Sequence, residues 1–505
     1  MRTIAECLIA LSLAGGLEGA VKLPALISDH MVLASGVPAR IWGTADAGET
    51  VRVELEGQTA AAVADGSGKW AVWLKPLTAA GPLEMTVSTA SAVSNTVVVR
   101  DVLVGEVWLG SGQSNMEFPL SRAMRHEEEI AQAGYPTIHL FQVKHAVAEQ
   151  PADDVTGRWE VSTPESAAHF SAVEYFFGRH LHETLRVPVG LIESDWGGTP
   201  AQSWTSREAL EADPALRFVL DGWDKILANY PAAKASYDER LAAWNGAAAK
   251  AKAEGTAAPA RPGAPQGPGH PYTPAGLYNA MIAPLTPYAI RGAIWYQGES
   301  NATEEHAYRY RKLFADMIED WRNRWGEGDF PFLFVQLANF KSNGYWPVLR
   351  ESQTETLRLA KTGMAVAIDV GESKDIHPTN KQAVGLRLAL AALHIAYGKE
   401  GEYSGPLYRS ATAEDDSLRV WFTHAGGLGA RGGGALTGFT VAGSDGNFVP
   451  AEARIEGDTV VVSSAQVKTP VAVRYAWEDD PACNLINGAG LPASPFRSDQ
   501  RHYEQ

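Results

Sequence analysis

A serine that serves as a nucleophile must stand clear of its fold with a base nearby, and position 114 has the surroundings for it. In the run GEVWLGSGQSNMEF (Gly105 to Phe118) an apolar, strand-like stretch breaks into Gly-Ser-Gly-Gln and presents Ser114 beside Asn115. Glycines let the chain turn sharply without a Cβ penalty, so the next side chain projects from the sheet edge. The same segment also suits a polar strand-to-helix turn with Ser114 as its cap. Position +2 is Met116, not the glycine of a G-x-S-x-G elbow.

A hydroxyl attacks only when a base takes its proton and an acid orients that base. In AVAIDVGESKDIHPTNKQAVGLRLAL a buried-looking strand (Met364 to Val370) gives way to a loop carrying Asp375, Ile376, His377 and Pro378, then to an apolar-periodic helix from about Asn380. His377 therefore sits at the mouth of a helix, where a base can reach a neighbouring strand end. Asp375 could accept the ring N–H and select the tautomer that faces Ser114, and Asp369 at the strand end competes for that role. The plainer reading of His377 is a loop hydrogen bond or a cap. Of the 13 histidines, none other has an acid and a strand-loop-helix context so well matched.

Acyl transfer also needs fixed donors for the developing oxyanion. Two segments supply them. In GLIESDWGGTPAQSW a strand (Val187 to Glu193) leads to Trp196, Gly197, Gly198 and Thr199; in GAIWYQGESNA a strand (Ala293 to Tyr296) ends at Gln297, Gly298, Glu299 and Asn301. Each reads equally well as an ordinary loop after a buried strand. Four such strand ends together fit an open α/β sheet, where ligands gather beyond the carboxyl ends of strands.

With these blocks in view, the sequence resembles the sialate O-acetylesterase family of SGNH-type (GDSL-like) serine esterases. The resemblance covers most of the chain: ISDHMVLASGVPARIWG, GQSNMEF, DWGGTPAQSWTS, YNAMIAPLTPYAIRGAIWYQGESNA, DIHPTNKQAVGLRLA and RYAWEDDPACNLINGAGLPASPFRSD. It implies a flavodoxin-like three-layer α/β/α core with flanking β-sandwich domains, removing acetyl groups from sugar hydroxyls through an acetyl-enzyme. Carried onto matching positions, Ser114 is the nucleophile, His377 the base and Asp375 the orienting acid. The oxyanion donors it implies are the N–H of Ser114, the N–H of Gly197 or Gly198, and Gln297 or Asn301. The broader SGNH pattern has Asp three residues before His and a G-x-N-D block, where this chain has D-x-H and Q-G-E-S-N. The acid and the amide donor stay open on that account.

Asn115, Trp196, Glu299 and Arg350 are the candidates to bind the sugar, Arg350 through a substrate carboxylate or else as a helix-surface ion pair. Trp196, Trp204 and Trp295 lie near the motifs, and aromatic faces stack on sugar rings, although most tryptophans are core residues. Asn301-Ala302-Thr303 matches a glycosylation acceptor. No metal or other cofactor is expected, since H-E-x-x-H and paired-cysteine motifs are missing from the sequence.

Two other functions use the same features: an acetylesterase for xylan or pectic polysaccharides, and more distantly a noncatalytic carbohydrate-binding protein. The latter has no need of a serine and a histidine on separate strand ends. An acetylated sugar or glycan is the expected partner. A net charge of −16 argues against nucleic acid and gives no attraction to anionic membranes.

The 505 residues exceed what one core usually organises, so two or three domains are expected. Residues 1–20 read as a signal peptide (Arg2, an apolar run from Leu8 to Leu17, small residues at Gly19 and Ala20), which implies a secreted or periplasmic protein. Its removal takes Cys7 and leaves Cys483 as a single thiol with no internal disulfide. Short alternating runs over residues 21–100 predict an N-terminal β-sandwich domain. Strands alternating with helices over residues 101–400 predict the esterase domain, with strands at Asp101 to Leu109, Val187 to Glu193, Gly292 to Tyr296, Phe332 to Gln336 and Met364 to Val370. An Ala-, Glu- and Lys-rich helical insertion with a Pro/Gly tract (206–272) interrupts it and borders the substrate cleft. Residues 401–505 predict a C-terminal β domain.

Overall fold

Runs of β-branched and aromatic residues bounded by glycine and proline build the central sheet of the computed structural model. Its strands are β1 (Thr96–Gly112), β2 (Tyr135–Gln142), β3 (Trp159–Ser162), β4 (Val189–Asp195), β5 (Gly292–Tyr296), β6 (Phe332–Gln336) and β7 (Thr362–Val366). The structure describes residues 21–89, 95–342 and 344–499; the expected leader, with Cys7, lies outside the described residues. The order across the sheet is β7-β6-β5-β1-β4-β2-β3. Every pair is parallel except the edge pair β2–β3.

Strands β4, β5 and β6 are buried at every residue, as parallel strands covered on both faces must be. Helices α1 (Ser114–Glu117) and α2 (Ala172–Leu185) cover it, α3 (Arg217–Glu254) stands apart from it, and α4 (Tyr310–Trp325), α5 (Trp346–Glu355) and α6 (Lys381–Ile395) complete the cover. On α4, Phe314 packs on Phe332 and Phe334 at ring distances of 5.9 and 5.1 Å. On α6, Ile395 meets the sheet over Gly363 and beside Leu333. Alternate residues of β6 face opposite ways, so these helices lie on opposite faces. Gly385 of α6 lets that helix close on α2, since a Cβ there would come within 2.6 Å of the Phe176 Cβ.

The fold is thus mixed α/β, a central mixed sheet with additional sheets. Strands Ala80–Thr89, Thr50–Leu55 and Gln58–Val63 continue the sheet outward from β1, while Ala39–Thr44 pairs with Lys69–Leu74. The 17-residue β1 serves both regions: Thr96 to Val104 pairs with Ala80–Thr89, and Glu106 to Gly112 pairs with β4. The expected boundary at residue 100 falls inside this strand. Past residue 405, two four-stranded sheets enclose a separate core that includes Val420, Val441, Val460 and Val473.

The helical excursion is the 38-residue α3, of which only Val219 and Ala251 are buried. Its Pro/Gly tract folds back along it: Trp244 Nε1 donates to the Pro259 carbonyl at 2.8 Å. Among the described residues no helix is long and apolar enough to cross a membrane.

Candidate active site

Strands β1, β4 and β5 end level, with Gly112 opposite both Asp195 and Tyr296. Gly112 has φ +141°, and a Cβ there would run into the Tyr296 carbonyl, so glycine is required for β1 to finish against β5. The Gln113 N–H donates to that carbonyl at 3.0 Å, and Ser114 opens α1 immediately after. Its Oγ lies 2.9 Å from His377 Nε2, a residue 263 positions away in the chain.

Beyond the imidazole, His377 Nδ1 is 3.5 Å from Asp375 Oδ1, and the same oxygen accepts the His377 backbone N–H at 2.9 Å. The ring contact is longer than an ordinary hydrogen bond, as is common before a substrate tightens a catalytic site. Asp369 is committed elsewhere. Its carboxylate pairs with Arg387 Nη1 and Nη2 at 2.6 and 2.8 Å and with Arg431 at 2.9 Å. Burial pushes the His377 imidazole below the usual histidine range, Asp375 pulls it back up, and Lys381 and Arg122 push it down further. The ring is therefore neutral near pH 7, with a lone pair free to accept a proton.

Asn115 and Glu299 are drawn into the support of this pair, which differs from the expected sugar contacts. Asn115 is 1% exposed; its Nδ2 donates to Glu299 Oε1 at 2.6 Å and to the Ile376 carbonyl at 3.0 Å. Lys381 Nζ donates to Asn115 Oδ1. The residue after the nucleophile thus grips the residue before the base. Lys381 is fully buried, and desolvation lowers its ammonium to about 7 against the opposing pull of Glu299. The Phe118 ring lies 4.7 Å from Lys381 Nζ and 4.7 Å from the Arg122 guanidinium.

The glycine loop and the amides form a second network. Gly197 N–H donates to Glu117 Oε2 at 2.5 Å. Gly198 has φ +75°, and Tyr272, at the end of the helical excursion, brings its hydroxyl within 3.9 Å of where a Cβ would lie. Gln297 and Asn301 are fully buried. Gln297 Nε2 donates to the Thr199 carbonyl (3.2 Å) and to Asn301 Oδ1 (2.7 Å), while Asn301 Nδ2 donates to Gln202 Oε1 (2.9 Å). Both amides therefore hold residues 199–202, with Asn301 Oδ1 also accepting the Ala201 N–H at 2.9 Å. Burial also closes the Asn301 sequon to glycosylation.

Arg350 is placed far from the expected role. It is fully buried, and its guanidinium donates to the carbonyls of Leu337 (2.8 Å), Ala338 (2.6 Å), Glu478 (2.9 Å) and Asp479 (3.0 Å). Trp204 and Trp295 are likewise fully buried, edge to face at 6.2 Å. Trp196 is half-buried and stacks on His145 at 4.2 Å. Sequence reasoning did not single out Glu117, Arg122, His145 or Lys381. Glu117 and Lys381 sit inside the GQSNMEF and DIHPTNK blocks, where a charged residue opening an apolar stretch is the available signal. Arg122 and His145 carry none.

Comparison with known proteins agrees with this architecture. Residues 268–395, which include Gln297, Asn301, Asp375, His377 and Lys381, match the family model described as carbohydrate esterase, sialic acid-specific acetylesterase. The chain is 32% identical to the sialate O-acetylesterase of Mus musculus over 95% of each chain. It is 30% identical to that of Homo sapiens over 94% of this chain and 92% of the other. A crystal structure of a carbohydrate acetylesterase from Xanthomonas citri superposes with a TM-score of 0.82 at 38% identity, covering 95% of this chain and 100% of that one.

Proposed function

The chain belongs to the sialate O-acetylesterase family, and from that premise we propose that it hydrolyses O-acetyl esters on sugars by attack of Ser114 with His377 as base. The observation that carries this reading is the 2.9 Å approach of Ser114 Oγ to His377 Nε2. As Oγ bonds to the acetyl carbonyl carbon, its proton passes to Nε2. The N–H groups of Ser114 and Gly198, at the α1 N-terminus and the glycine loop, receive the oxyanion. Collapse expels the sugar oxygen, which takes the proton from His377, and leaves acetyl-Ser114. A water deprotonated by His377 then releases acetate and restores the serine.

With the edge pair β2–β3 set aside, the order β4-β1-β5-β6-β7 and helices on both faces support a flavodoxin-like, SGNH-type three-layer core. The apolar run near the amino terminus supports secretion or a periplasmic location. Acetate release from O-acetylated sialosides, acetylated xylan and acetylated pectin tests the substrate. Turnover is expected on the sialosides, and a preference for xylan or pectin would replace the sialate assignment with a plant-polysaccharide one.

Arg122 is an exposed cation suited to a sialoside carboxylate, stacked on Phe118 within the same wall as Lys381. Charge-assisted hydrogen bonds contribute about 1.5–3 kcal/mol, so Arg122→Gln is expected to raise KM for sialosides about tenfold or more. Hydrolysis of p-nitrophenyl acetate by the same variant should be unchanged at pH values above the His377 limb. An equal loss on both substrates would remove Arg122 from recognition.

The pH profile follows from the base. His377 works only when neutral, so kcat/KM should rise with pH through a group titrating below the usual histidine range and level off by neutrality. Asp375 opposes the depression, so Asp375→Asn should move that limb to still lower pH and cost about a hundredfold in kcat. Asp369→Asn should leave turnover near the parent value and lower thermal stability. If both variants keep full activity, a Ser-His dyad is the correct description.

A further inference from the structure

We propose that Glu117, His145 and Asp195 form a binding site for a divalent metal ion of the zinc class beside the nucleophile. One donor atom from each residue lies within 4.8 Å of the others. Glu117 closes α1, Asp195 is the last residue of β4, and His145 lies on the segment after β2. The donor set of one imidazole and two carboxylates suits zinc better than calcium or magnesium, which favour all-oxygen sites.

A separate observation marks this cluster as more than a group of acids. Asp195 is 3% exposed, and its Oδ2 is buried without a hydrogen-bond partner. A carboxylate oxygen withdrawn from water and left unpaired is costly unless a proton or a cation completes it.

The geometry is open on one side and fixed on the other. His145 Nε2 stands 3.4 Å from Glu117 Oε1 with its side chain 38% exposed, and its ring is stacked parallel on Trp196 at 4.2 Å. Metal bonds of about 2.0–2.2 Å require these donors to close by roughly 1 Å. The exposed histidine can make that move. Glu117 Oε2 meanwhile holds the Gly197 N–H, so an ion on the other oxygen would fasten the glycine loop next to Ser114.

Isothermal titration of the chelator-treated full chain with ZnCl2, with MnCl2 and CaCl2 as parallel arms, tests this. One zinc ion per chain is expected, with a Kd of about micromolar or tighter. His145→Ala should weaken binding by about tenfold or more, and Asp195→Asn by about a hundredfold. Should Asp195→Asn fail to fold, Glu117→Gln with His145→Ala carries the test. Ser114→Ala should bind zinc as the parent does, which keeps the result independent of the esterase assignment. The proposal is overturned by absence of saturable binding, by calcium binding more tightly than zinc, or by unchanged affinity in His145→Ala.

Discussion

Ser114→Ala is expected to lower kcat on p-nitrophenyl acetate by about 10^4–10^6-fold, leaving only the slow turnover that binding and oxyanion donors sustain without a nucleophile. His377→Ala should fall in the same range. The double variant should be little worse than either single one, because nucleophile and base act as one unit and their losses do not add. The fold should survive, since Ser114 is only half-buried and its Oγ reaches across to His377 without holding either strand. A folded Ser114→Ala protein that releases acetate at the parent rate would end the mechanism.

The second large effect is on stability, at Arg350. Arg350→Met should cost about 3–5 kcal/mol, since each buried carbonyl left without a donor costs about 1–3 kcal/mol. Four carbonyls lose the guanidinium at once, Leu337 and Ala338 beyond β6 and Glu478 and Asp479 in the carboxyl-terminal region, of which Ala338 keeps the Trp346 Nε1–H and Asp479 the Phe340 N–H. Methionine fills much of the space and offers no N–H. Chemical denaturation should show the loss, while KM per folded molecule stays at the parent value. A raised KM for sialosides with unchanged stability would restore Arg350 to the substrate.

The contrast between Arg350 and Ser114 shows where sequence reading has purchase. Ser114 and His377 each follow a buried strand and precede a helix, a local pattern that says which way a side chain must point. Strands β5 and β6 were legible to the residue because both are wholly apolar up to a terminal Gln or glycine-bounded end. The start of β1 was hidden by Asp101, which takes φ +55° and breaks the alternation in mid-strand. The end of β4 was disguised by Glu193 and Asp195, acidic residues that are buried all the same. Burial also keeps the Glu193 carboxyl high, at about 8.

Polar side chains with several possible partners were the hardest to assign. Gln297, Asn301 and Asn115 carry donors that suit an oxyanion, a sugar or a neighbouring loop equally well, and only tertiary packing decides which partners they take. Glu117, His145 and Asp195 arise from three separate segments, so no spacing could announce them. Asp375 against Asp369 was left open by the sequence; the two arginines on Asp369 are what distinguish them structurally.

The long first strand has a consequence for how this enzyme can be cut or recombined. Because Ala80–Thr89 and β4 clasp successive stretches of the same 17-residue strand, the amino-terminal sheet is no detachable accessory to the catalytic half. Severing the chain near residue 100 would split β1 itself and strip Ala80–Thr89 from the root of the strand whose tip presents Ser114, so gene fusions or truncations at that point should yield insoluble protein, whereas a swap placed in the turn before Ala80 keeps β1 whole and paired with Ala80–Thr89. Ala80–Thr89 and the catalytic sheet share one strand and travel together.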